Sequence, residues 1–178
     1  MSATRRETAV SITALTAGYG DRAAVSEVNL DLAVGSLTAI FGPNGGGKST
    51  LLKCAAGLMR PWSGSVEVLG APVGVNSARV AYVPQAEQVD WSFPVSVDEV
   101  VAMGRTPRIG PLGRVGAADR AAIDEALERV EMSSYAARQI GELSGGQRRR
   151  VFIARALASE PDLYLLDEPV TEIGRAHV

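Results

Sequence analysis

The sequence predicts an α/β fold, and three observations support this prediction. A phosphate-binding loop pattern at Gly42–Thr50 lies between a short apolar run and a helix-like segment. Two acidic residues, Asp167 and Glu168, directly follow a second apolar run, Leu163–Leu166, which is typical of a central parallel strand. The segment between these motifs carries helix-start signals. The pattern therefore predicts an α/β core with an inserted helical subdomain.

The composition narrows the class of protein. The chain has 178 residues, 46% hydrophobic residues and a formal net charge of −2, which fit one globular domain without the positive charge of a nucleic-acid-binding protein. Its one cysteine, Cys54, excludes an internal disulfide. No apolar run has the length of a membrane span, and the N-terminus lacks the apolar core of a signal peptide. We therefore expect a cytoplasmic protein that reaches any membrane through a partner.

The N-terminal segment predicts an antiparallel β subdomain. Alternating apolar residues at Val10–Ala14 and Val28–Val34 favour two strands. A dinucleotide-binding pattern, G-x-G-x-x-A, occurs at Gly18–Ala23, but a strand follows it in place of the helix that this motif needs. We interpret Gly18–Gly20 as a hairpin loop that displays Tyr19. From the residues alone, Tyr19 is most simply a partly buried surface aromatic.

The phosphate-binding loop matches G-x-x-x-x-G-K-[ST] at every position from Gly42 to Ser49. Glycines lack Cβ, so the backbone can curl and direct consecutive N–H groups at an anion. Lys48 can reach the terminal phosphates, and the Ser49 hydroxyl can bind Mg²⁺. Leu37–Phe41 predicts a strand before the loop, and Ser49–Gly57 predicts a helix whose positive end faces the phosphates. The alternative, a glycine-rich turn that matches by chance, is disfavoured by these flanking elements.

The middle of the chain predicts two short strands followed by helices. Ser65–Leu69 and Arg79–Val83 have strand character, and Pro84 ends the second because proline cannot donate to a ladder. Ser96–Glu99 is a capping box that starts a helix. Prolines and glycines at Gly104–Gly116 predict a loop. A further helix is predicted from apolar residues at helical spacing: Ile123, Ala126, Leu127 and Val130.

The run Leu-Ser-Gly-Gly-Gln begins another predicted helix. Ser144 and Gln147 form a second capping box, and the helix is expected to end at about Ser159. Gly145 and Gly146 leave backbone N–H groups uncovered at the helix N-terminus, where an anion is favoured. This segment is therefore a second candidate contact for phosphate.

Asp167 and Glu168 stand at the carboxyl end of the predicted central strand, where open α/β sheets bind ligands. As in P-loop enzymes, Asp167 would hold Mg²⁺ directly or through water. Glu168 would orient or deprotonate the attacking water, a role worth roughly 10²–10⁴-fold in rate. The alternative, a solvated acidic loop, is disfavoured by the phosphate loop.

Together these motifs resemble the ATP-binding subunit of an ABC transporter. The resemblance rests on the phosphate loop, Val83–Gln85, Leu143–Gln147 and Leu165–Pro169, in that order, and it covers most of Tyr19–Pro169. It implies a single ABC ATPase domain at residues 1–171, with a P-loop NTPase core at about 9–85 and 143–171 and a helical subdomain at about 86–142. The Leu-Ser-Gly-Gly-Gln signature is the most specific of these motifs.

The resemblance implies a role for each motif. Tyr19 would stack on adenine, a contact worth ~1 kcal/mol, instead of being only a surface aromatic. Gln85 would sense the metal and the attacking water, and Ser144 would help to clamp ATP held by a second copy of the subunit. The implied catalytic residues are Glu168 and Gln85, and the implied Mg²⁺ ligands are Ser49, Gln85 and Asp167. The implied ATP-binding residues are Tyr19, Gly42, Asn44, Gly45, Gly47, Lys48, Ser49 and Thr50. The implied signature residues are Ser144, Gly145, Gly146 and Gln147.

A finer resemblance, to importers of manganese, zinc and iron, lies in Val89–Val97 and Val100–Arg105. It implies hydrolysis of ATP with Mg²⁺, coupled to import of a transition metal. The implied partners are a second copy in a homodimer, a membrane permease and, indirectly, a periplasmic or lipoprotein metal-binding protein. The implied location is the cytoplasmic face of the plasma membrane. Two alternatives stay open: a soluble ABC-type ATPase not linked to transport, and a catalytically dead fragment.

The chain departs from the family pattern after Thr171, because no aspartate stands at the expected place. His177 is too close to Glu168 to be the family's switch histidine, and we assign it no role. The run Ile-Gly-Arg-Ala-His-Val resembles the translation of a common sequencing adapter. We hypothesise that the native sequence ends near Thr171, that residues 172–178 are an artefactual tail, and that the fold is incomplete at its C-terminus.

Overall fold

The computed structural model describes residues 7–85, 94–110 and 113–167. The chain divides into two compact units, Met1–Ser77 and Ala78–Val178. The predicted α/β fold is confirmed, including the antiparallel sheet near the N-terminus. The residue boundaries predicted for the core and the helical subdomain stay predictions. Across the described ranges, the helices are too short or too polar to cross a membrane.

The N-terminal unit contains a four-stranded antiparallel sheet in the order β2-β1-β3-β4. Alternation along β1 buries Val10 and Ile12, which lie opposite Val68 and Val66 of β3. A β-bulge at Ala14, where φ is 47°, lets β1 continue beyond its predicted end. The strands are β1 at Thr8–Tyr19, β2 at Arg22–Ala33, β3 at Ser63–Val68 and β4 at Ala71–Pro72.

Helix α1, Lys48–Ala55, follows the phosphate loop as predicted and contacts β1 and β3. Leu51 and Cys54 on its inner face are buried, and burial raises the pKa of the Cys54 thiol. These contacts place the start of α1 at the edge of the sheet's core. The phosphate loop is thereby held by packed structure on its C-terminal side.

The predicted strand Leu37–Phe41 is wrong. This run is irregular, and Leu37 and Phe41 are 102% and 90% exposed. A strand exists only where a neighbour takes up its N–H and C=O groups, and within the described ranges none pairs with this run. Apolar composition alone therefore did not suffice to form the element.

In the C-terminal unit, β5 at Val80–Val83 pairs in parallel with β6 at Leu163–Leu166. Both strands are close to their predicted positions. Phe152 and Ala156 of a long helix pack on Ala81 and Val83 of β5. Because the pair is parallel, the carboxyl ends of the two strands lie at the same edge.

Three of the four remaining helices of the described part of this unit share one apolar cluster, and the short helix at Thr106–Ile109 contributes no buried residue to it. The predicted starts at Ser96 and Ser144 are confirmed, each with its complete capping box. The predicted loop Gly104–Gly116 is wrong in part, because Met103–Arg105 is a 3-10 turn and a short helix follows it. Pro107 suits the first turn of that helix, where no N–H partner is needed. The helices are α2 at Val97–Ala102, α3 at Thr106–Ile109, α4 at Ala117–Arg129 and α5 at Gly145–Ala158.

Candidate functional site

The phosphate loop adopts a conformation that only glycine accepts easily. Gly45 and Gly47 have φ values of 78° and 83°. The Gly46 amide donates a 3.0 Å hydrogen bond to the Pro43 carbonyl oxygen, which closes the turn. Gly42, Asn44 and the two following glycines are exposed. The loop backbone is thus curled and open to solvent, as an anion site requires.

Gly47 allows the phosphate loop to pack closely against β2. A Cβ atom at this position would lie 2.5 Å from the Ala24 carbonyl oxygen and 2.5 Å from Val25 Cγ1. Any other residue would have to push the loop away from the strand. The glycine is therefore required by close approach as well as by its left-handed φ.

Lys48 is held at the loop by two backbone carbonyls. Its Nζ atom donates to the Gly42 oxygen at 3.0 Å and to the Pro43 oxygen at 2.9 Å. The first turn of α1 carries no acidic residue, and its N-cap supplies no side-chain hydrogen bond. The positive helix end is therefore suited to a bound phosphate, and Lys48 Nζ is held next to it with three N–H donors, two of which make the described bonds to carbonyls. Ser49 is half-buried beside them, and Thr50 is buried.

Tyr19 ends β1 and is paired across the hairpin with Arg22. Its side chain is 57% exposed, so the ring can receive a stacking partner. Ala24, whose carbonyl oxygen is closely approached by Gly47, lies two residues beyond Arg22 on β2. The structure therefore brings Tyr19 and the phosphate loop to the same end of the N-terminal unit.

In the C-terminal unit, the parallel pair brings Gln85 and Asp167 to one edge. Val83 pairs with Leu166, so Asp167 directly follows the end of β6 and Gln85 lies two residues beyond the end of β5. Asp167 is only 3% exposed, and its amide donates to the Val83 oxygen at 2.9 Å. Gln85 is half-buried. Glu168 lies outside the described residues, as do residues 89–93 of the segment that resembles metal importers.

The sequence did not point to Tyr82, which contacts a candidate site residue. Its hydroxyl donates a 3.0 Å hydrogen bond to Asp167 Oδ2. The two residues are far apart in sequence and meet only through the pairing of β5 with β6. No local motif marks such a contact; only the parallel pairing could have indicated it.

The signature residues form an exposed helix start. Ser144 Oγ accepts from the Gln147 amide at 3.3 Å, and the Ser144 amide donates to Gln147 Oε1 at 2.9 Å. Gly145 and Gly146 are exposed, and a Cβ atom at either would meet no other atom within 4 Å. The glycines at this helix end are thus open to a ligand or another chain.

Each of the two units carries oxygen donors of the kind that bind Mg²⁺. The oxygens of the Ser49 hydroxyl, the Gln85 amide and the Asp167 carboxylate are hard donors of the kind that Mg²⁺ prefers. Among the residues that the structure describes, no group of three or more histidine, cysteine or acidic side chains could hold a metal ion. Mg²⁺ is usually bound by one or two protein oxygens together with substrate phosphates, and the candidate donors within each unit suit that mode of binding.

Comparisons with known proteins identify the family that the chain resembles. A family model described as ABC transporter matches residues 25–171. The chain is 45% identical to a manganese transport system ATP-binding protein of Listeria innocua, covering 94% of the chain and 70% of that protein. It is 46% identical to a zinc transport system ATP-binding protein of Treponema pallidum, covering 94% of the chain and 63% of that protein. The chain thus spans about two thirds of the length of these relatives.

Two solved structures are similar in fold. An inward-facing metal-chelate type ABC transporter matches with a TM-score of 0.78 and 35% identity, over 96% of this chain and 63% of that one. A dimeric ATP-binding cassette in a post-hydrolysis state, bound to ADP and Pi, matches with a TM-score of 0.78 and 26% identity. That match covers 93% of this chain and 76% of the other.

Proposed function

This chain belongs to the ABC transporter family, and on that premise we propose that it binds and hydrolyses ATP to energise import of a transition metal through a membrane permease. One observation carries the nucleotide-binding part: the Lys48 ammonium is fixed on the backbone of an open phosphate loop at an uncapped helix start. The names of the manganese and zinc relatives support the class of cargo.

The proposed roles follow from the chemistry of each side chain. The loop N–H groups and Lys48 hold the phosphates, and Tyr19 stacks on adenine. Ser49, Gln85 and Asp167 would supply oxygen ligands to Mg²⁺, which would neutralise charge on the phosphates. Catalysis by the chain itself consists of positioning and charge stabilisation, to which Glu168 adds polarisation of the attacking water.

We propose that two copies of the chain act together. Ser144, Gly145 and Gly146 would clamp ATP held by the second copy, because their exposed helix start is suited to an anion. The dimeric cassette of similar fold supports this arrangement. The subunit would work at the cytoplasmic face of the plasma membrane, bound to the permease, with an external metal-binding protein delivering the cargo.

Reconstitution tests this function. The full chain is combined with an integral-membrane permease of the manganese and zinc importer group in vesicles that contain ATP, and uptake of manganese, zinc and chelated iron is compared. We expect ATP-dependent uptake of one of these metals and its loss in Glu168→Gln, which should still bind ATP. Hydrolysis without uptake would favour the soluble ATPase alternative. Hydrolysis that survives Glu168→Gln would overturn the role of that residue.

A further inference from the structure

We propose that Trp62 is a positioning residue of the nucleotide site. Its indole ring packs against the end of the β1–β2 hairpin and so fixes the orientation of the Tyr19 ring for contact with the base. This inference rests on the proposed function, since it assigns Tyr19 to the adenine ring. It adds a specificity-determining contact that no motif in the sequence marks.

The indole ring lies directly on the backbone next to Tyr19. A Cβ atom at Gly18 would be 2.8 Å from Trp62 Cη2 and 2.8 Å from the Ala23 Cα atom. Gly18 is therefore enclosed between the indole ring and the opposite strand. The absence of a side chain at this position allows both the indole ring and the opposite strand, whose Arg22 carbonyl oxygen is the nearest atom, to approach.

The turn that carries Trp62 is anchored to β1 independently of the indole. The Trp62 amide donates to the Thr16 oxygen at 2.8 Å, and Ser63 pairs with Thr16. Gly64, with φ of 83°, approaches so closely that a Cβ atom would lie 2.5 Å from the Thr13 oxygen. Removal of the ring should therefore leave the turn in place and loosen only the hairpin end.

Tyr19 needs such a support because its ring is 57% exposed at the tip of a two-stranded extension. A ring with so little packing of its own takes its orientation from the backbone beneath it. Trp62 is 48% exposed, so it covers the hairpin with part of its surface only. A hairpin that is ordered before binding avoids part of the entropy cost of ordering it on ATP.

Binding of two different ligands distinguishes a positioning role of Trp62 from a purely structural one. MgATP carries the base and inorganic tripolyphosphate does not, so only MgATP should respond to Tyr19. We expect Trp62→Ala to weaken MgATP binding roughly three- to tenfold, the range of an aromatic contact, and to leave tripolyphosphate binding unchanged. Trp62→Phe should retain most of the MgATP affinity. The control is Val75→Ala, which removes another exposed apolar side chain of the same unit.

A double substitution tests whether Trp62 acts through Tyr19. Titration calorimetry should find that Tyr19→Ala with Trp62→Ala loses no more MgATP affinity than Tyr19→Ala alone. Equal weakening of both ligands by Trp62→Ala, additive losses, or unchanged MgATP binding would each overturn the inference. If Trp62→Ala does not fold, Trp62→Leu replaces it in the same cycle. A wild-type chain that binds neither ligand would instead overturn the proposed function, and this role with it.

Discussion

The Tyr82 hydroxyl donates a 3.0 Å hydrogen bond to the Oδ2 atom of Asp167, which is only 3% exposed. This contact joins the end of β5 to the residue that follows β6. It therefore fixes the orientation of the carboxylate that we propose as a Mg²⁺ ligand. Groups that orient a metal ligand in this way usually affect metal affinity strongly.

Tyr82→Phe should raise the Mg²⁺ concentration needed for half-maximal ATP binding by about tenfold, because the carboxylate loses its orienting donor. A magnesium titration of fluorescent ATP binding measures this. Tyr164→Phe is the control, since it removes a hydroxyl from a tyrosine of β6 that is 44% exposed. Equal magnesium requirements for the two variants would contradict the role assigned to Tyr82.

Gly47→Ala should disrupt the phosphate loop far more than Gly45→Ala. Both glycines have a left-handed φ, which costs roughly 1–2 kcal/mol for alanine. Only at Gly47 would the new Cβ atom also collide with Ala24 and Val25, whereas the space around Gly45 is open. Thermal unfolding and MgATP binding measure the difference. Equal thermal stability of the Gly47→Ala and Gly45→Ala variants would show that the phosphate loop does not pack against β2.

Ser144→Ala and Ser96→Ala should have similar effects on stability and different effects on activity. Each removes a capping-box hydroxyl that accepts a 3.3 Å hydrogen bond, so each should cost about 1 kcal/mol. Only Ser144 belongs to the surface proposed to clamp ATP in the second copy. Urea unfolding and ATP hydrolysis of the reconstituted complex test this. If both variants hydrolyse ATP equally well, Ser144 is merely a helix cap.

The C-terminal unit should lose stability in acid because of an ion-pair network around Arg105. Its 7% exposed side chain contacts Asp119 at 2.8 Å and Glu160 at 2.7 Å. Hydrogen bonds from the Gly116 amide and from Arg105 lower the pKa of Asp119, and a hydrogen bond from Arg105 lowers the pKa of Glu160. A carboxyl group whose pKa is lower in the folded than in the unfolded state contributes its full stability at pH values above its unfolded-state pKa. That stability is lost as the pH falls through the folded-state pKa.

The urea concentration at the midpoint of unfolding should therefore begin to fall below about pH 5 and should continue to fall at pH values below the ordinary pKa of aspartate and glutamate. Asp119→Asn should lower the midpoint at neutral pH and flatten its decline in acid. Asp162→Asn is the control, because its ion pair with Arg79 is half-exposed and surface pairs contribute little. An unchanged acid profile in Asp119→Asn would show that this network does not govern acid stability.

Local signals in the sequence predicted most of the helices and strands. Ser96 and Ser144 predicted two helix starts because a capping box is complete within four residues. Leu163–Leu166 was predicted as a strand from its apolar run and flanking residues. The phosphate loop was predicted because its glycines and lysine are consecutive.

What the sequence could not predict depends on contacts between distant segments. Leu37–Phe41 has the composition of a strand, but pairing decides whether a strand forms. The contacts of Tyr82 with Asp167 and of Trp62 with Gly18 come from pairing and close approach. Neither depends on a motif, so neither was visible before the fold was known.

Equilibrium binding of MgATP to the full chain and to Lys48→Ala tests the central claim most directly. Lys53→Ala is the matched control, because Lys53 is the chain's other lysine and lies on the same helix. We predict saturable binding by the wild type and by Lys53→Ala, and a loss of more than about tenfold in Lys48→Ala, since a charge-assisted contact to phosphate is removed. Wild-type binding that persists unchanged in Lys48→Ala would contradict the account.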